Sequence, residues 1–470
     1  MRSSPTESAT LTRRAGAWRT AAVLCALMGL VACTHEPTRP DLRRLYQTAN
    51  LAAEQPPLII IPGIMGSRLR DRTTHQVIWP GSLGHIVFNR FGILALDIDT
   101  ATLTAAPGNL EAYALTDKAA GEHFYDIIID TMVRYGGFVV TSPGTPVRDP
   151  YERHLYLFPY DWRLDNVESA RKLSALIDQL RVDYGRPDLR VDIVAHSMGG
   201  IVSRYLLRFG TEDVLERDDP PLTMAGEFKI NRLILLGTPS FGSTDTVENV
   251  IEGAKIVRRI PTETLVTLPS VYQLLPNADR KPLIGIDGRP LRKVPDDASS
   301  PERNIFDVST WRDLKWAVFD PRVVARVGPE RALVLQRYFA QNLQRARRLQ
   351  AALQRPQPES SVKLIVFGAD CILTPSRVLV EEDRGRMVPR FDPRDIKHPQ
   401  PGRPYDALMR EPGDGEVGKS SLLGRQSYDP TVASRGSFPI AYSFFLCSAH
   451  SALPSNINFQ DNLLNALLSR

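Results

Sequence analysis

Residues 191–200 read Val191-Asp192-Ile193-Val194-Ala195-His196-Ser197-Met198-Gly199-Gly200, and this stretch decides the fold. An apolar strand runs into a small residue, a serine, a second small residue and then a helix. A serine on so tight a strand-to-helix turn is pushed out above a sheet. The turn closes only if the residues two before and two after it are small, here Ala195 and Gly199. The helix behind it offers its positive N-terminal end to negative charge forming at the serine. Alanine replaces the first glycine of the G-x-S-x-G pattern, a tolerated variant. Ser197 is therefore the candidate nucleophile. His196 is its neighbour but points elsewhere on such a turn, so it is not the base.

The stretches around this turn read as alternating strands and helices. Residues 57–62 (PLIIIP), 154–159 (HLYLFP), 190–195, 233–236 (LILL) and 362–367 (VKLIVF) are short apolar runs of the kind buried in a parallel sheet. Residues 168–184 carry Ala170, Leu173, Leu176, Ile177 and Leu180 at helical spacing, and 198–209 forms a helix ended by Gly210. This alternation predicts an α/β fold with a mostly parallel sheet and helices on both faces, the α/β-hydrolase arrangement. Roughly 125 residues separate the fourth and fifth strands, far more than an ordinary connection, and read as an inserted cap or lid. Its end, 329–354, is an arginine-rich amphipathic helix with Leu335, Phe339, Leu343, Ala346, Leu349 and Leu353 on one face. That helix either packs by this face with a solvated basic back or meets anionic lipid. The expected order is 57–250 first core part, 251–360 cap, and 361–470 second core part. Residues 384–404 read as a charged, proline-rich surface excursion.

A serine of this kind needs an oxyanion hole, an acid and a base. One oxyanion donor is the backbone N–H after the nucleophile, Met198. The other is expected on the loop after an earlier strand, where 62–69 (PGIMGSRL) offers Met65, unless that loop is a plain turn. In α/β-hydrolases the acid and base follow the serine. Only His398 and His450 do so among histidines. His398 lies in the charged excursion, whereas His450 lies between an apolar run at 438–446 (FPIAYSFFL) and a C-terminal amphipathic helix at 459–468. His450 is therefore the candidate base. Two aspartates compete as acid. Asp370 directly follows a predicted strand, which position alone favours, and Asp414 sits in a tight glycine-flanked turn.

The N-terminus is an address. Arg2, Arg13, Arg14 and Arg19 precede a 13-residue apolar run at 20–32 (TAAVLCALMGLVA), which reads as a secretory signal rather than an anchor helix. It ends in Leu30-Val31-Ala32-Cys33, which resembles the lipobox of bacterial lipoproteins. That resemblance implies acylation of Cys33 and, with Thr34 next, the periplasmic face of the outer membrane. Residues 33–56 then serve as a polar tether. The formal charge of +5 comes largely from the leader, so nothing suggests a nucleic-acid partner. With 43% apolar and 24% charged residues the chain has the composition of an ordinary globular protein. Outside the leader only Cys371 and Cys447 remain. In an exported chain they are candidates for one disulfide stapling the acid and base loops, or for two free thiols.

Together these residues resemble the lecithin:cholesterol acyltransferase family, which includes lysosomal phospholipase and phospholipid:diacylglycerol acyltransferases. The similar segments are PGIMGSRL at 62–69, PYDWR at 159–163, AHSMGG at 195–200, LLGTPSFGS at 235–243, LPSVYQLLP at 268–276, GDGEV at 413–417 and HSALPSN at 450–456. They run in family order through nearly the whole body. The resemblance implies Asp414 as acid, Met65 as an oxyanion donor and a lipid ester as substrate. Family members often carry more acids around this aspartate, where Glu416 stands alone here. The stretch 73–96, with Trp79, Ile86, Val87, Phe88, Phe91, Ile93 and Leu94, reads either as an interfacial lid surface or as core.

The resulting expectation is an acyl-ester hydrolase or acyltransferase working through an acyl-serine, held at a membrane by its lipid anchor. Competing readings are an esterase for soluble short-chain esters and a non-catalytic structural or binding lipoprotein. No HExxH or Cys/His cluster asks for a metal, and the chemistry asks for no cofactor. No sequence feature sets an oligomeric state.

Overall fold

Seven short apolar strands form one sheet, and every neighbouring pair is parallel. In chain order they are β1 (Leu58–Ile61), β2 (Phe138–Val140), β3 (Arg153–Leu157), β4 (Val191–His196), β5 (Ile230–Leu236), β6 (Lys363–Ala369) and β7 (Tyr442–Leu446). Their spatial order is β7-β6-β5-β4-β1-β3-β2. The structure is a computed structural model that describes residues 39–47, 54–81, 91–119, 122–149, 151–255, 259–294, 297–425 and 438–468. The predicted leader and Cys33 lie outside the described residues.

The central strands β1 and β4 are buried along their whole length, which explains why they read as unbroken apolar runs. The main helices are α1 (Asp126–Arg134), α2 (Asn166–Asp183), α3 (Met198–Phe209), α4 (Asp245–Glu252), α5 (Pro329–Gln354) and α6 (Ile457–Leu468). Right-handed crossovers from β3 to β4 and from β4 to β5 put α2 and α3 side by side on one face. The chain runs from β1 to β2 in the opposite direction along the sheet, so α1 takes the other face, where α6 packs against it.

Residues Tyr46–Arg470 form one compact unit, so 251–360 is no separate body. Helix α5 has the predicted bounds. Its apolar face, including Leu335, Phe339, Leu343 and Leu349, joins the main core. Its basic back is partly paired: Arg345 reaches Asp165 at 2.5 Å and Asp213 at 2.8 Å, and Arg348 reaches Asp218 at 3.0 Å. Trp79, Phe91 and Leu94 are core residues too, while Ile93 is exposed. Ile86, Val87 and Phe88 lie outside the described residues.

Three expectations change. Within the expected tether, Leu42–Tyr46 is a short helix, begun where the Asp41 carboxylate accepts the Arg44 N–H. The charged excursion begins inside a hairpin, supplying the turn at Arg384 and Gly385 and the strand Arg386–Arg390, which pairs with Val378–Asp383 just before it. Its charges pair across the strands, Arg390 holding Glu381 at 2.5 Å and Asp383 at 2.9 Å. The edge strand β2 was not legible, because Val139 and Val140 are exposed and carry no alternation.

Candidate active site

The turn between β4 and α3 forces Ser197 into an unfavourable backbone, φ 51° and ψ −124°. Such strain is held only by surroundings that leave no alternative. Gly199 supplies part of that constraint. A Cβ there would lie 2.6 Å from the Pro62 carbonyl oxygen and 2.9 Å from an Ile61 methyl carbon. The serine therefore rises where β1 and β4 end together, beside the loop that leaves β1.

Chain segments far apart in sequence meet there. His450 Nε2 lies 2.9 Å from Ser197 Oγ, and His450 Nδ1 lies 2.7 Å from Asp414 Oδ2. All three side chains are buried. The other oxygen of Asp414 accepts the N–H groups of Glu416 at 3.1 Å and Val417 at 2.7 Å. The Asp414 carbonyl accepts the His450 N–H at 2.9 Å, so the two residues are also joined through the backbone. Burial alone would lower the His450 pKa, but the carboxylates of Asp414 and Glu416 and the Asp414 hydrogen bond raise it to about 9. Glu416 Oε2 stands 3.8 Å from Nε2 on the cavity side. Sequence reasoning noted Glu416 but missed its electrostatic role, since only folding brings it over the imidazole.

Met65 and Met198 flank the serine, and among the described residues neither N–H has an acceptor. Met198 opens helix α3, whose first N–H groups have no partner within the helix. Met65 has φ 61°, and its carbonyl accepts the Trp79 indole N–H at 2.8 Å. The PYDWR segment braces the same loop. Tyr160 O–H donates to the Pro62 carbonyl at 3.0 Å, and the Trp162 indole donates to the Ser67 carbonyl at 3.1 Å. Buried Asp161 and Arg163 pair at 2.7 Å and keep that segment in place. Three aromatic donors thus hold three carbonyls of the 62–69 loop.

The two aspartates separate cleanly. Asp370 pairs with Lys419 at 2.5 Å at the end of β6, while Asp414 meets the histidine. Position after a strand was a poor guide, because the chain travels through a further strand pair, Ile372–Pro375 with Arg410–Gly413, before delivering its acid. His398 uses its backbone N–H on Glu381 and stays in the hairpin region. Of the two readings for Cys371 and Cys447, the structure has the free thiols, both exposed. Pairing of Ala369 with Leu446 brings them together just past the ends of β6 and β7. A hydrogen bond with Cys371 raises the Cys447 pKa. The backbone ladder, not a covalent bond, holds these strand ends.

The serine and histidine open on a cavity of about 340 Å³. Ile64, Leu265, Val271 and Leu274 supply an apolar side, and Asp245, Glu248 and Glu416 supply carboxylates. Burial, with Asp245 and Glu252 nearby, raises the Glu248 pKa to about 7. The arrangement provides a hydroxyl with a base at hydrogen-bond distance, an oriented imidazole and two backbone donors.

The lecithin:cholesterol acyltransferase family model matches residues 150–284, the segment from PYDWR through the serine turn to the cavity wall. The uncharacterized protein YJR098C of Saccharomyces cerevisiae is 31% identical over 156 residues, 32% of this chain. The chain spans 20% of the length of that relative. A crystal structure of the Tle4–Tli4 complex contains a chain with TM-score 0.56 and 15% identity, covering 88% of this chain and 98% of that one. Lipase 1 from Pelosinus fermentans reaches TM-score 0.33 at 14% identity over 89% of this chain and all of its own, too little to argue from. The chain has an α/β-hydrolase fold, and its serine-bearing segment is similar to the lecithin:cholesterol acyltransferase family.

Proposed function

We propose that this chain is a serine-dependent hydrolase or acyltransferase of lipid esters, anchored through Cys33 to the periplasmic face of the outer membrane. The observation that carries the chemistry is the Asp414–His450–Ser197 relay, with contacts of 2.7 and 2.9 Å, at the mouth of a partly apolar cavity. The family match supports the lipid ester.

In this reading His450 takes the Ser197 proton as Oγ attacks the ester carbonyl. The N–H groups of Met65 and Met198 hold the oxyanion. Collapse breaks the bond to the leaving alcohol, which receives the proton from His450, and leaves an acyl-serine. Water or a second alcohol then attacks the acyl group by the same steps in reverse. Asp414 keeps the Nδ1 proton in place and stabilises the imidazolium.

The test is fatty-acid release from acyl-labelled phospholipid vesicles by the mature protein, with and without an added sterol or long-chain alcohol. Release that Ser197→Ala abolishes supports the reading, and labelled acyl ester on the acceptor makes the protein a transferase. The carboxylates on the cavity wall favour one alternative, an esterase for small soluble esters. Hydrolysis of such esters without vesicle activity would select it.

A further inference from the structure

Two buried residues take no part in the proton transfer yet touch two loops that serve it, the one at Gly63 and the one at His450. His196 lies wholly inside the protein beneath the serine. Its Nδ1 is 2.7 Å from the Tyr125 hydroxyl, and its Nε2 is 3.3 Å from the carbonyl oxygen of His450. Tyr125, also buried, accepts the Gly63 N–H at 2.9 Å. Its own O–H then has His196 Nδ1 as its acceptor, so Nδ1 is bare and the ring proton sits on Nε2, facing the His450 carbonyl. Burial, helped by neighbouring His450, lowers the His196 pKa to about 3. The ring therefore stays neutral, and both of its nitrogens are used in hydrogen bonding.

The surroundings leave these groups no freedom. A Cβ on Gly63 would lie 2.7 Å from Ser197 Cβ and 3.4 Å from His196 Nδ1, and a Cβ on Gly66 would lie 2.9 Å from the Tyr125 hydroxyl. The oxyanion loop is thus pressed directly onto the Tyr125–His196 pair. Tyr125 stands immediately before α1, which the Thr131–Gln460 hydrogen bond of 2.9 Å ties to α6, behind the His450 loop.

We infer that Tyr125 and His196 are positioning residues for acyl transfer, forming an uncharged hydrogen-bonded chain that sets the oxyanion loop at Gly63 against the backbone of His450. The inference rests on the acyl-serine reading above. Its physical content is mutual alignment. The loop bearing Met65 and the loop bearing His450 leave different strands, and this chain links them beneath the nucleophile. A donor must sit within a few tenths of an ångström of the developing oxyanion to act fully.

The test uses the mature protein and a soluble ester such as p-nitrophenyl butyrate, with Ser197→Ala as control. Tyr125→Phe removes one oxygen and is expected to lower kcat on the order of 10-fold or more, because a displaced oxyanion donor loses part of its hold on the transition state. KM should move by less than about two-fold, because the loss falls on the transition state. The acid limb of the pH profile should stay in place, since the carboxylates that set the ionisation of His450 are untouched, and the melting temperature should fall by only a few degrees, as loss of one buried hydrogen bond implies. His196→Ala should lose as much, and the double variant no more than the worse single one, because both break one chain. His196→Asn keeps an acceptor near the Nδ1 position and should recover part of the rate. If His196→Ala does not fold, Tyr125→Phe alone decides. Ser197-dependent turnover that Tyr125→Phe leaves within about two-fold of wild type overturns the positioning role and spares the acyl-serine reading. Turnover that does not depend on Ser197 overturns both.

Discussion

The two halves of the proposed active site are built on different principles. The nucleophile half, residues 62–69 and 195–200, is steric. Its strained serine, its glycine contacts and the aromatic donors on its carbonyls fix the backbone with few charges. The acid–base half, around Asp414 and His450, is electrostatic. It hangs from the late strands β6 and β7 and is held by carboxylate hydrogen bonds, with further anions around the imidazole. One half should respond to volume and shape, the other to charge and pH.

The largest effects should come from the residues where the halves meet. Ser197→Ala should lower kcat by about 10⁶-fold, the size seen when a triad nucleophile is removed, with the melting temperature unchanged. Asp414→Asn should keep the geometry but favour the wrong imidazole tautomer, at a cost of about 10⁴-fold in kcat. Asp370→Asn, at the rejected acid position, should leave turnover within about two-fold of wild type. A large loss from Asp370→Asn and a small one from Asp414→Asn would reverse the assignment of the acid.

The acid–base half makes a pH prediction with a definite sign. His450 must be neutral to accept the serine proton, and its pKa is raised to about 9. The rate with limiting substrate should therefore climb from neutral pH and level off only above about 9. Glu416→Gln removes a carboxylate that favours the imidazolium, so the limb should move to lower pH. At neutral pH the variant should then be faster, by about ten-fold if the limb moves down by one pH unit. A limb that Glu416→Gln leaves unmoved would place the anionic influence elsewhere. The smallest effect belongs to the thiols. Cys371→Ser and Cys447→Ser should each change kcat by less than about two-fold, because the strand ladder already holds those ends.

The same contrast explains what could be read in advance. The steric half is local: strand, small residue, serine and helix lie within ten consecutive residues, and 57–62 reads plainly as a buried strand. The helix Pro329–Gln354 was equally legible, because its apolar stripe persists over many turns. The electrostatic half depends on distant pairings. Position after a strand pointed to Asp370, and only the family resemblance pointed to Asp414. Tyr125 lies 71 residues before His196, and no local pattern announces that they share a hydrogen bond. The edge strand at Phe138–Val140 and the hairpin at Val378–Asp383 were hidden for a similar reason. The first buries only Phe138 and the second buries four consecutive residues, so neither shows the alternation of a half-buried strand.

The central claim is that Ser197 is a nucleophile activated by His450 and Asp414. Its most direct test is covalent labelling by a fluorophosphonate probe, with the modified residue located by peptide mass spectrometry and the rate followed against pH. The account predicts an adduct on Ser197, a rate that rises toward pH 9, and near-complete loss of labelling in Asp414→Asn. An unlabelled Ser197 in folded protein, or equal labelling of wild type and Asp414→Asn, would contradict it.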